Sequence, residues 1–452
     1  MENKFVVKND ESIKESLIKI ESNKAGIVFV TEDDKIIGCA TDGDIRRALI
    51  NRTTLDESIR KCINNKFVFL TEKNATRENI LKLLDSEIKK IPILSEDMKL
   101  ISIVSKDNID WNQKEKIISK AKSPVRISFA GGGTDLTNYF YEDDGVVLNA
   151  TINKFAHAIL EKREDSKIKI NSNDFKIELN FNSISDISYD NNLDLVKAVI
   201  KLLNPEYGFE LYIYSDVPPG SGLGGSAVLL SAIIGAFNNF RENKLTDYEI
   251  AELAFHAERI ELGLSGGWQD QYATVFGGFN FMEFKNNDNI INPLRIPNNI
   301  ENELEDALIL CYTGISHNSG DIHDVQKENM KKADIKYLAT SAKSIANEMK
   351  TNLLKGNLDN FGELLDKSWR IKRKFSDNIS NTNLDEIYEY AMNNGALGGK
   401  LLGAGGGGFF LFYVPTYKKL NLINKLKERK YEIETFTFDK IGLRSWITKE
   451  KV

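Results

Sequence analysis

The stretch "DVPPGSGLGGSAVLLSAIIGAF" (216–237) decides the fold. It sets four glycines within six residues, Gly220 to Gly225, directly ahead of an apolar run. The preceding "FELYIYS" (209–215) puts Phe209, Leu211 and Ile213 on one face, as a strand does. The segment Ser226–Phe240 reads as a helix. The glycines therefore form a loop that feeds a helix N-terminus. Such a terminus offers unpaired N–H groups and the positive end of the helix dipole. Phosphate oxygens satisfy both, and glycine lets the backbone approach with no Cβ in the way. Four glycines exceed what a cap needs, so the loop predicts a phosphate.

The pattern alone does not say which phosphate. Gly220-x-Gly222-x-x-Gly225 matches the dinucleotide fingerprint, and so does Gly403-x-Gly405-x-x-Gly408. A dinucleotide site would run its strand directly into the first glycine. Here Pro218 and Pro219 intervene, and they cannot donate to a sheet. A Walker A loop needs Gly-Lys-Ser/Thr, which does not follow.

Three further motifs flank this loop. In "PVRISFAGGGTDL" (124–136), a strand carrying Arg126 runs into Gly131, Gly132 and Gly133, then Thr134 and Asp135. The glycines allow close substrate approach, and Asp135 suits sugar hydroxyls or a helix cap. In "HAERIELGLSGGWQDQYATVFGGFNFMEF" (256–284), Glu258 lies on a helix that opens with a capping box, Thr246 to Glu249. Asp270 follows Trp268 between glycine pairs, an odd setting for a core acid. In "GALGGKLLGAGGGGFFLFYV" (395–414), the run Gly405–Gly408 is costly in any regular element. Backbone or ligand packed against it is the best explanation.

The first quarter of the chain contains a repeat. "AGIVFVTEDDKIIGCATDGDI" (25–45) aligns without a gap to "KKIPILSEDMKLISIVSKDNI" (89–109), each copy preceded by an amphipathic helical stretch. This pattern resembles a tandem CBS (Bateman) module over residues 1–112. The resemblance implies an adenine-nucleotide ribose site at Thr41 and Asp44. The second copy has Ser105 but Asn108 in place of the acid. A packing or dimerisation module without a ligand is an equal reading. Residues 113–123, polar and Lys-rich, read as a linker.

The four glycine-bearing motifs, in this order, resemble the GHMP kinase superfamily over residues 122–452. The resemblance implies an α+β, two-lobed kinase fold. Its ribosomal S5 domain 2-like ATP-binding lobe would span 122–295, and its ferredoxin-like C-terminal lobe 296–452. Within the superfamily, "FAGGGTDL", "GGWQDQYA" and "KLLGAGGGG" most resemble the D-glycero-D-manno-heptose 7-phosphate kinases. Those enzymes phosphorylate the anomeric hydroxyl to the 1,7-bisphosphate, on the way to GDP-heptose for surface polysaccharide. Carried onto this chain, the N–H groups of Gly220, Ser221, Gly222, Leu223, Gly224, Gly225 and Ser226 would hold the phosphates of ATP. Ser226 and Glu258 would hold Mg²⁺, which prefers oxygen ligands. Asp270 would take or orient the sugar hydroxyl's proton, and Arg126 would offset charge on the transferred phosphoryl. Gly132, Gly133, Thr134, Asp135, Trp268, Gly405 and Gly406 are the implied sugar-side residues. Lys400, or Lys372 and Arg373, would meet a distal sugar phosphate. His317, in "YTGISHNSG" (312–320), stands where the family pattern has Arg.

Composition sets the remaining bounds. A net charge of −6 with both signs interspersed argues against a nucleic-acid face. Three widely spaced cysteines make neither a disulfide framework nor a zinc site, so a reducing, cytoplasmic compartment is expected. No apolar run is long enough for a bilayer span. A homodimer is the default expectation for a Bateman module. Three alternatives stay open: a sugar 1-kinase for another hexose or deoxyhexose, an NAD-dependent oxidoreductase, and a non-catalytic nucleotide sensor.

Overall fold

The computed structural model describes residues 4–86, 88–107, 109, 115–315, 325, 329 and 333–451. The chain divides into two compact units, Met1–Lys114 and Glu115–Val452.

In the first unit the sequence repeat is a structural repeat. Strands β1 (Val6–Lys8), β2 (Ile27–Glu32) and β3 (Lys35–Thr41) form one sheet, with β1 parallel and β3 antiparallel to β2. Strands β4 (Leu70–Thr71), β5 (Ile91–Leu94) and β6 (Leu100–Val104) form another with the same order and directions. The helices Ile13–Asn23 and Arg77–Asp85 connect equivalent strands. Ser12 and Thr76 cap them in the same way, each hydroxyl accepting from the amide three residues on. Both sheets turn between their last two strands through a residue in the left-handed region, Asp34 (φ 62°) and Met98 (φ 64°). Asn108 lies outside the described residues.

The second unit opens with a long strand, β7 (Glu115–Ala130), paired to the equally long β8 (Gly145–Lys162). Residues 115–123, expected as a linker, are thus the first half of a central strand. Lys120 and Lys122 alternate with Ser119, Ala121 and Ser123, which are buried, so the stretch looks polar while one face packs on the core. The sheet continues through β9 (Ile168–Ser172), β10 (Ile177–Phe181), β11 (Phe209–Ser215), β12 (Phe279–Phe284) and β13 (Asn289–Pro293), in the order β10-β9-β11-β8-β12-β13. The helix Gly225–Asn238 packs across β7 and β8, with Leu230, Ile233, Ile234 and Phe237 buried.

Strands β14 (Leu308–Tyr312), β15 (Gly398–Leu401), β16 (Phe409–Tyr413) and β17 (Glu432–Glu434) form an antiparallel sheet in the order β15-β16-β14-β17. Helices Ala333–Lys355, Leu358–Lys372 and Thr382–Asn393 precede β15, and Thr416–Glu428 precedes β17. That is the ferredoxin-like topology expected of the C-terminal lobe. The lobe does not run to the chain end, however. The last strand, β18 (Arg444–Lys451), returns to pair with β7 from Arg444↔Lys122 to Lys451↔Glu115. Strand β7 needed a partner on its far side, and no local segment supplied one.

Candidate active site

Two irregularities in one strand aim the first site residues. The register of β7 against β8 shifts between Pro124 and Arg126 and again between Ser128 and Ala130. Bulges of this kind re-aim side chains. Arg126 and Ser128 both line a cleft together with Gly132, Gly133, Asp135, Gly267, Gln269, Asp270, Lys372, Phe375, Lys400 and Gly403.

Asp270 stands in the first turn of the helix Gln269–Phe276. Arg126, only 3% exposed, grips its carboxylate with both arms, Nε to Oδ1 at 2.8 Å and Nη2 to Oδ2 at 2.9 Å. The third arm, Nη1, donates to the carbonyl of Gly222 at 2.7 Å. One guanidinium therefore ties the acid to the glycine loop. The loop itself passes close by, since a Cβ on Gly224 would stand 3.4 Å from Oδ2 of Asp270.

Gly220, Gly222 and Gly224 all adopt positive φ, at 73°, 77° and 82°. Among the described residues, no main-chain N–H from Gly220 to Ser226 has a protein acceptor. The loop's carbonyls are engaged instead: Ser221 accepts from Phe409 N, Leu223 from Arg126 N, and Gly224 from Val228 N. Unpaired donors ahead of a helix N-terminus suit an anion. Leu223 contributes by burial as well as backbone.

The Ser226 hydroxyl donates to Glu258 Oε1 at 2.5 Å. Glu258 sits where the helix Asp247–Phe255 widens into a π-turn, His256–Glu261, and it is 3% exposed. Gln271 Nε2 donates to its other oxygen at 2.8 Å, and Arg259 lies at 3.3 Å. A hydroxyl and a carboxylate meeting beside a phosphate loop are hard oxygen donors that fit Mg²⁺.

Asp135 is buried, and its carboxylate accepts from the amides of Gly133 (2.9 Å) and Gln269 (3.3 Å). Burial, with the charge of Asp270 nearby, raises its pKa above the usual carboxylate range. Gly267 is required there, since a Cβ would stand 1.9 Å from Asp135 Oδ2.

Several expected sugar-side residues have other roles. Thr134 is fully buried; its hydroxyl donates to the carbonyls of Gly131 or Val146 and accepts from Val146 N. Trp268 stacks on Phe255 with centroids 3.5 Å apart, and its indole N–H donates to Thr137. Gly405 and Gly406 face the Ile379 backbone, with Gly406 N donating to Ile379 O at 2.9 Å. Gly403 and Gly408 instead buttress the glycine-rich loop 220–225. A Cβ on Gly403 would lie 2.5 Å from the Gly222 Cα, and one on Gly408 would lie 2.4 Å from the Ser221 carbonyl. Arg373 turns away to pair with Asp385. His317 lies outside the described residues.

Sequence reasoning missed Ser128 and Gln269 as cleft residues. Ser128 carried a signal, being the second polar residue at period two in an apolar strand, on the face of Arg126. In the first unit, Thr41 and Asp44 form a capping box at the start of the helix Asp42–Ile50. Thr41 Oγ1 donates to Asp44 Oδ2 at 2.6 Å, and Arg47 pairs with the other oxygen. Both proposed ribose ligands are therefore already engaged in capping.

Comparison with known proteins places this geometry. Residues 194–278 match the GHMP kinases N terminal domain, 349–432 the GHMP kinases C terminal, and 1–51 the CBS domain. A D-glycero-alpha-D-manno-heptose 7-phosphate kinase of Campylobacter jejuni is 41% identical over 333 residues, covering 72% of this chain and 98% of that protein. The crystal structure of a D-glycero-D-manno-heptose 1-phosphate kinase from Bacteroides thetaiotaomicron is 33% identical with a TM-score of 0.62, over 73% of this chain and 98% of that one. A putative sugar kinase from Campylobacter jejuni superimposes with the same TM-score at 40% identity, with the same coverage of both chains. The chain belongs to the GHMP kinases, with a CBS domain at its N-terminal end. It is a sugar kinase, and membership of the family implies ATP as phosphoryl donor. Among the described residues, no helix is long and apolar enough to cross a membrane.

Proposed function

We propose that the protein transfers the γ-phosphoryl of ATP to the anomeric hydroxyl of D-glycero-D-manno-heptose 7-phosphate, yielding the 1,7-bisphosphate for nucleotide-activated heptose. The observation that carries the transfer is Asp270, locked by Arg126 against the same glycine whose neighbours present free N–H groups. The similarity to the heptose 7-phosphate kinase, nearly complete over that protein's length, supports the acceptor.

In this reading the N–H groups of Gly220–Ser226 bind the donor phosphates, and the helix Gly225–Asn238 adds its positive end. Asp270 accepts the hydrogen bond of the 1-hydroxyl and then its proton as the new O–P bond forms and the β–γ bridge bond breaks. An anomeric hydroxyl is more acidic than an ordinary alcohol, so a carboxylate is a sufficient base. Arg126 orients that carboxylate and supplies fixed positive charge beside the phosphoryl. Asp135, and the side-chain carboxamide of Gln269, orient the sugar. Mg²⁺, held by Ser226 and Glu258, would neutralise charge on the donor phosphates.

Incubating the full-length protein with Mg-ATP and a panel of sugars and sugar phosphates tests this reading, with ADP release as readout and ³¹P NMR of the product. Turnover of the heptose 7-phosphate with a new phosphoryl on C1 is the expected result. Turnover of a different hexose alone would move the acceptor assignment. The Bacteroides thetaiotaomicron relative is named a heptose 1-phosphate kinase, which makes heptose 1-phosphate the second acceptor to include.

A further inference from the structure

Two ammonium groups in the cleft take no part in the mechanism above. Lys372 ends the helix Leu358–Lys372 and is 9% exposed; Lys400 lies on β15 and is 3% exposed. Lys372 Nζ donates to the carbonyls of Leu401 (3.2 Å) and Gly403. Lys400 Nζ donates to the carbonyls of Ser128 (2.8 Å) and Phe129 (3.3 Å). Among the described residues neither forms an ion pair. An ammonium has three donors, so each keeps one unspent. A buried cation without a counter-ion is costly.

A second observation points the same way. The Ser128 hydroxyl is buried with no hydrogen-bond partner among the described residues, and it lines the same cleft. The lining carries three cations, Arg126, Lys372 and Lys400, against two carboxylates, Asp135 and Asp270. Arg126 already neutralises Asp270.

We propose that Lys372 and Lys400, with the Ser128 hydroxyl, form a single phosphate-binding subsite in the wall of the cleft. The phosphate comes either from the acceptor sugar or from the γ-position of the donor. This deepens the kinase reading and rests on it. Electrostatics agree with the geometry. Burial and the neighbouring Arg126 push Lys372 down to about 7, and burial with Lys372 and Arg126 pushes Lys400 well below its usual value. A dianion is what would restore both charges.

Steady-state kinetics separate the two sources. Lys372→Met and Lys400→Met keep the shape of the side chain and remove the charge. If the phosphate is the acceptor's, each variant raises KM for heptose 7-phosphate by about tenfold or more and leaves unphosphorylated heptose unchanged. If it is the donor's, kcat falls by a similar factor with both acceptors while their KM values hold. Values within twofold of wild type for both acceptors overturn the subsite. A measurement on the unaltered protein guards against misfolded variants: thermal unfolding with sulfate, with and without saturating Mg²⁺ and a non-hydrolysable ATP analogue. Stabilisation by sulfate that persists with the analogue supports an acceptor phosphate. Stabilisation that the analogue abolishes supports the γ-position only where Lys372→Met and Lys400→Met also lose it; the same sulfate stabilisation in those variants assigns the anion to the glycine loop and overturns the subsite. No stabilisation in either state overturns the proposal. The sulfate assay does not depend on which sugar is the acceptor, so failure of the heptose assignment is distinguishable from failure of the subsite.

Discussion

Asp270, Arg126 and Lys372 do their work through a few atoms each, and their predictions are correspondingly local. Asp270→Asn keeps the shape and removes the base, so kcat should fall by roughly 10²–10⁴ with thermal stability near wild type. A loss of only a few-fold in a steady-state assay would remove Asp270 from the chemistry. For Lys372 the pH dependence has a definite sign. Its charged form is opposed by burial and by Arg126, and favoured by Asp135 and Asp270. In the free enzyme the ammonium is therefore lost as pH rises through about 7. The alkaline limb of kcat/KM should fall near that value. The limb of kcat should lie higher, because bound phosphate holds the proton; coincident limbs would contradict the assignment. At Thr41 and Asp44, residue types match a family pattern, and both groups also form a helix cap. Thr41→Ala should lower the stability of the first unit by about 1 kcal/mol, as read from thermal unfolding.

Among the elements, the decisive contact is glycine on glycine. The phosphate loop and the run 403–408 approach so closely that neither tolerates a side chain at Gly222 or Gly403. Both also sit at positive φ, 77° and 70°. Gly222→Ala should therefore cost about 1–3 kcal/mol of stability. It should also raise KM for ATP, because the loop donors shift with the backbone. Gly222→Ala with wild-type unfolding temperature and wild-type KM for ATP would refute the buttress. The four glycines were conspicuous in the sequence, and a packed backbone was one of two explanations. Which backbone was not legible, because the two segments are far apart in the chain.

For the whole molecule, the sheet of the kinase unit closes only when the last strand returns to β7. Truncation after Gly442 should leave the β7 edge open, with the main-chain N–H and C=O groups of 115–122 that pair with β18 facing water. A large drop in unfolding temperature, or aggregation, is the expected result on heating. The division into two units predicts two calorimetric transitions in the full chain. A non-hydrolysable ATP analogue with Mg²⁺ should raise the transition of the kinase unit by mass action.

The sequence by itself determined the repeat, the glycine-rich loop at a helix start and the family to which the chain belongs, and it singled out the acid at 270. These signals are local, resting on glycines at a helix start, period-two and helical apolar spacing, and capping residues a few positions apart. Only the tertiary structure decided that Arg126 and Asp270 are partners and that 115–123 is a strand and not a linker. It also decided that Thr134 and Trp268 serve packing, and that Lys372 and Lys400 face one cleft. Each of those facts depends on which distant segment shares a wall with which, and no spacing along a chain encodes that.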